Sequence, residues 1–208
     1  MIRVIRAEWR KLRRPTLFLG TIGAALFFTG LFTSLLFILI DSPRGNSDPA
    51  NPISREMLSS VAGSVIGFSN VAGLLGIIAY CVFAAQTAQE YTYGTLRNLL
   101  VRQPGRLRLL AGKLISMKLF AIVMVLISGV LAVVISYVLA PGAKVDTELW
   151  FTSDGRVEIL QAVINVSISV IGFGIFGMIM GLLLRSPISS IAIGVLWILI
   201  IENLLGAV

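Results

Sequence analysis

The chain has 208 residues, of which 57% are hydrophobic and only 13% charged, whereas a soluble domain carries roughly twice that charged fraction. Its net charge is +7, it has no histidine and it has a single cysteine, Cys81. These counts exclude Ser-His-Asp catalysis, histidine metal sites, histidine proton relays and any disulfide within the chain.

In chain order, Met1–Arg14 comes first. At 100° per residue, Ile2, Ile5, Trp9 and Leu12 share an arc of about 80°, with Arg3, Arg6, Arg10, Arg13 and Arg14 to the other side. That pattern predicts a basic interfacial helix, with Arg6, Arg10 and Arg13 in water and Trp9 at the headgroup level. Pro15 stands at a natural helix start. The following apolar run is far too long for the roughly 7–15 residue core of a signal peptide.

A hydrocarbon core about 30 Å thick needs about 20 apolar residues in a helix. The segments that meet or approach this are Thr16–Ile40, Ser60–Ala85, Leu119–Leu139, Ala162–Leu184 and Ile188–Leu205. Helices are expected throughout, because only they satisfy every backbone polar group within the segment. The predicted fold is all-α and polytopic: one transmembrane domain, residues 1–208, with an interfacial helix and five spans. Asp41–Met57, rich in Pro, Asn, Ser and Asp, is expected to be irregular. Pro141–Glu158 holds Trp150 and Phe151, expected at the membrane interface. Arg185-Ser186-Pro187 is so short a link that its two spans must be antiparallel neighbours.

Charge alternates along these segments. Met1–Arg14, Gln86–Lys118 and Arg185 together hold thirteen bases and two acids, Glu8 and Glu90, a balance of +11. The remaining polar stretches and Glu202 hold four bases and eight acids, a balance of −4. Lys and Arg are retained in the cytoplasm during insertion, so the N-terminus and Gln86–Lys118 are expected on the cytoplasmic side of a cell membrane. The basic groups flank apolar spans instead of forming a stripe on a soluble surface. They argue for contact with the bilayer, including its anionic lipids, and against nucleic acid.

Small residues recur at four-residue spacing (Gly63 and Gly67, Ser69 and Gly73, Gly177 and Gly181), which predicts close helix packing. No span has an ionisable residue near its centre. Glu202 is expected to be an interfacial group, and Asn70 and Asn165 to be hydrogen-bond partners between helices. Ala111-Gly112-Lys113 is not a phosphate loop: the glycine spacing is wrong, Leu114 follows the lysine and no strand precedes it.

Gln86–Lys118 is far longer than a turn requires, and Gly94, Pro104 and Gly105 divide it. A short amphipathic helix at Thr95–Arg102 would place Leu96, Leu99 and Leu100 on one face, suited to a soluble partner. The order Glu90, Tyr93-Gly94-Thr95-Leu96-Arg97, Leu99-Leu100, Pro104, Arg106, Gly112-Lys113 resembles the first cytoplasmic loop of type-2 ATP-binding-cassette export permeases. The opening Ala7-Glu8-Trp9-Arg10-Lys11-Leu12-Arg13-Arg14-Pro15 is similar to that family's N-terminal elbow helix.

The resemblance implies a non-catalytic transmembrane subunit, with ATP and magnesium bound on a separate ATPase chain and no cofactor in this one. A second permease half, identical or not, would complete the pathway. It also implies that Glu90, Tyr93, Gly94, Thr95, Leu96 and Arg97, with Arg185, form the element that couples to the ATPase. Gly94 would allow a tight turn that a side chain obstructs, and Arg97 would pair with an ATPase carboxylate or with Glu90. The family has six spans, so a further span beyond Val208 is expected. The alternative functions are a non-transporting assembly or regulatory membrane protein and a membrane-embedded lipid enzyme. The enzyme would need clustered acids at one face, and the basic side offers only Glu8 and Glu90.

Overall fold

The computed structural model describes residues 2–40, 54–95 and 105–206. The described residues are 85% helical, with no strand among them. Helix α1 covers Ile2–Leu12, α2 Pro15–Ile38, α3 Arg55–Ser59, α4 Ile66–Asn70, α5 Ala72–Thr92, α6 Arg106–Leu139, α7 Ser153–Leu184 and α8 Pro187–Gly206. A 3-10 helix, Glu148–Phe151, precedes α7. Helices α2, α5, α6 and α7 are long and apolar enough to cross a membrane. Helix α8 has 20 residues, with an apolar stretch at Pro187–Ile200. Large apolar side chains such as Phe27, Val130 and Ile168 point outward, an arrangement that costs free energy in water and none in hydrocarbon. The protein is an all-α polytopic membrane protein.

The chain forms two compact units. The first comprises residues 1–21, 76–121 and 170–208. Its core joins Tyr80, Ala84 and Ile198, with Phe173, Phe176 and Met180 packed against them. Tyr80 donates its buried hydroxyl hydrogen bond to the Ser190 carbonyl at 2.6 Å. Glycine makes this packing close: a Cβ on Gly177 would run into the Tyr80 backbone carbonyl, and one on Gly181 would lie 2.7 Å from the Ala84 carbonyl. The Gly177–Gly181 stripe is thus the face of α7 that meets α5.

The second unit comprises residues 22–75 and 122–169. Its core joins Phe37, Ile40, Leu58, Ala140, Ala143, Val145 and Trp150. Trp150 is fully buried and its indole N–H donates to the Leu58 carbonyl at 3.0 Å. Trp150 therefore does not face outward: its indole fills an internal pocket. Phe151 is exposed and stacks edge-on with Tyr137 at 5.8 Å.

Four further corrections concern the elements. Ser60–Ala85 is not one helix: turns occupy residues 60–65, α4 is a single short piece, and Val71 separates it from α5. Gly63 folds back so tightly on Leu58 that a Cβ there would overlap the Leu58 carbonyl. Gly63, Ser64, Val65, Gly67 and Phe68 are all buried, the condition under which irregular backbone is tolerated at membrane depth.

Gln86–Lys118 is mostly helix, because α5 runs on to Thr92 and α6 begins at Arg106. Of the helix expected at Thr95–Arg102, residues 96–102 lie outside the described residues, Leu96 and Arg97 among them. Among the described residues, Asn70 and Asn165 are exposed and make no hydrogen bond to another helix, where interhelical partners were expected. Finally, α1 is turned on its axis. Its buried stripe is Val4, Glu8 and Leu12, while Ile5 and Trp9 are only half-buried. Arg6, Arg10 and Arg13 are exposed, as their side of the wheel requires.

Candidate functional site

A carboxylate in the buried stripe of a basic helix needs a partner, because an isolated buried charge is far costlier than a paired one. Glu8 has two. Lys11, one turn along α1, lies 2.6 Å from its Oε1, and Lys113 of α6 lies 3.4 Å from its Oε2. Glu90 of α5 binds the same two lysines. Its Oε1 is 2.5 Å from Lys113 Nζ and 3.1 Å from Lys11 Nζ. Two acids and two bases therefore close a neutral cluster that joins α1, α5 and α6 within the first unit.

Burial sets the weight of each member. Glu8 and Lys113 are each 4% exposed and Glu90 9%, so they interact at low effective dielectric with little screening by salt. Lys11 is partly exposed. Burial tends to lower its pKa, but the Glu8 and Glu90 carboxylates outweigh this and hold it above the ordinary 10.5.

Close backbone approach makes the cluster possible. A Cβ on Gly112 would lie 2.8 Å from Val4 Cγ1, so glycine lets α1 lie directly on α6. One turn further, the Ser116 hydroxyl contacts the Ile5 carbonyl at 3.2 Å and the Gly112 carbonyl at 2.9 Å.

The end of α5 next to Glu90 is also defined. Gly94 adopts φ +64°, the left-handed region where a side chain strains the backbone. Among the described residues, no atom stands within 4 Å of where its Cβ would be, so glycine is needed there for the backbone conformation of the turn. Tyr93 is 73% exposed. The Thr95 hydroxyl reaches back to the Glu90 carbonyl at 3.5 Å. Arg185, in the link between α7 and α8, also takes a left-handed φ of +52°. Its carbonyl accepts from the Thr92 hydroxyl at 3.4 Å, and its guanidinium lies 5.7 Å from the Tyr91 ring centre. The α7–α8 link is tied in this way to the last turn of α5.

Of the residues singled out from sequence, Glu90, Tyr93, Gly94, Thr95 and Arg185 come together at this end of the first unit. Arg6, Trp9 and Arg10 lie on α1 and Arg13 just beyond its end, all outside the cluster. Glu8, Lys11 and Lys113 were not expected as site residues, although each stands in a quoted motif. The available signal was charge: Glu8 and Glu90 are the only acids among thirteen bases on their side of the chain. Glu90 binds both lysines; Arg97, expected to pair with an ATPase carboxylate or with Glu90, lies outside the described residues.

The family described as a protein of unknown function, DUF2705, matches residues 50–205. No curated protein and no solved structure matches the chain.

Proposed function

This chain belongs to the DUF2705 family, and we propose that it is the transmembrane permease subunit of an ATP-driven exporter, with ATP hydrolysed on a separate ATP-binding-cassette chain. One observation carries the reading. The three sequence features that resemble such permeases, Glu8 with Lys11, Glu90, and Gly112-Lys113, are far apart in sequence and meet in one buried cluster. In sequence, residues 93–105 connect α5 to α6, and Glu90 stands in the last turn of α5. A push on that connection would pass through the cluster into α1, α5 and α6 together, and so bias the spans between two states.

In this reading the basic end faces the cytoplasm of a cell membrane, where the ATPase docks, and a second permease half completes the pathway. The test uses the full chain co-expressed with a candidate ATPase. Wild type is expected to co-purify with it and to support ATP-dependent transport in proteoliposomes. Gly94→Val, which forces a β-branched residue to φ > 0, and Arg97→Glu are expected to insert normally but lose coupled ATP turnover several-fold. Absence of ATPase association, or wild-type turnover in both variants, would sink the proposal and favour a non-transporting assembly role.

A further inference from the structure

Lys11 and Glu90 face a second feature of the first unit, a cleft of about 300 Å³. We propose that this cleft binds the phosphate-bearing headgroup of an anionic phospholipid. The inference stands independently of the transport reading.

Charge is the first argument. The cleft lining contains two cations, Lys11 and Arg14, and one acid, Glu90. Glu90 is already paired with Lys113 and Lys11, and the four charges of that cluster balance. Arg14 is exposed and makes no ion pair among the described residues, so it gives the cleft an uncompensated positive charge. The neutral lining supplies hydrogen-bond donors: the amides of Gln86 and Gln89 and the hydroxyls of Thr16 and Tyr93. A guanidinium surrounded by neutral donors is what a phosphodiester oxygen pair requires.

Depth is the second argument, and it selects a lipid over a dissolved anion. Thr16 and Leu17 open the apolar run of α2, and Gln86 follows directly on the apolar run of α5 that ends at Ala85. Both helices thus pass from apolar to polar side chains at this cleft, the level at which lipid phosphates lie in a bilayer. Leu17 adds an apolar side chain to the lining, as a headgroup continuing into acyl chains needs. The volume is at the lower end of small-molecule sites, enough for one headgroup.

The test takes the full chain in a neutral detergent. Phosphatidylglycerol, phosphatidylcholine or inorganic phosphate is added, and retained lipid is read by native mass spectrometry and thermal unfolding. Phosphatidylglycerol is expected to stay bound and raise the unfolding temperature, while phosphatidylcholine and inorganic phosphate at matched concentration do neither. Arg14→Gln is expected to weaken phosphatidylglycerol retention at least about tenfold, the loss of a charge-assisted hydrogen bond, and Gln89→Leu to weaken it less. Arg13→Gln, just beyond the end of α1 and outside the cleft lining, is expected to leave retention near wild type. Equal losses in the Arg13 and Arg14 variants would mean diffuse attraction to a basic helix, and the site would be discarded. Equal retention of the two lipids, or stabilisation by inorganic phosphate alone, would overturn it as well.

Discussion

Lys113 contacts both carboxylates of the cluster, so its loss leaves Glu8 and Glu90 facing Lys11 alone. Lys113→Met is expected to destabilise the protein by about 3–5 kcal/mol, the usual consequence of breaking a buried pair from one side. Adding Glu8→Gln restores charge balance, and the double variant is expected to be more stable than Lys113→Met alone. Thermal unfolding in detergent reads both, and simply additive losses would refute the coupling. The pKa of Lys11 is raised by folding, so its contribution is complete below pH 10.5 and is lost as pH climbs through the higher folded value. The tether is thus expected to hold through neutral pH, and unfolding scans above pH 10 would show where Lys11 releases it. At this scale the sequence was only partly legible. Periodicity located the exposed arginines of α1, but it put Ile5 and Trp9 at the centre of the buried face. The true centre is Glu8, held there by Lys113, 105 residues away, a pairing that no local pattern reveals.

Among the elements, α7 offers a paired comparison. Gly177 sits against the Tyr80 backbone carbonyl, whereas nothing stands within 4 Å of a Cβ on Gly172. Gly177→Val must push α5 and α7 apart and is expected to lose on the order of 3 kcal/mol through overpacking. Gly172→Ala is expected to be neutral, or to gain up to about 1 kcal/mol from helix propensity. If thermal unfolding found the two equal, the close α5–α7 approach would be refuted. Four-residue spacing of small residues predicted close packing here, and the contact on Tyr80 bears it out. The interruption between Ser60 and Val71 was not legible. Hydropathy is continuous from Ser60 to Ala85, and the break depends on how Gly63 meets Leu58, a tertiary fact. Gln86–Lys118 is polar, yet α5 and α6 extend into it. Nothing in Gln86–Thr92 or Arg106–Lys118 breaks a helix, since Gly94, Pro104 and Gly105 all lie between.

For the molecule as a whole, class was plain from sequence because hydrocarbon thickness dictates segment length, and four helices meet it. The division into two units was not, since α2, α5, α6 and α7 each contribute to both and the boundary has no composition of its own. The charge balance of +11 against −4 makes a topology prediction. With Cys81→Ser as background, cysteines at Ser47 and Ser153 are expected to react with an impermeant thiol reagent added to intact cells. A cysteine at Arg106 is expected to react only after lysis. The reverse pattern would invert the orientation and remove the face on which an ATPase is proposed to dock.

Trp150 gives the second unit its own optical reporter. The chain has three tryptophans: Trp9 is half-buried, Trp197 is 58% exposed and Trp150 is sealed. With Trp9 and Trp197 replaced by phenylalanine, the remaining emission would come from an indole shielded from aqueous quenchers and bonded to the Leu58 carbonyl. Any motion that lifts Leu58 from that indole would register as a red shift and as new quenching by acrylamide. The loosening of this unit could then be followed in real time, in a bilayer, without an attached dye.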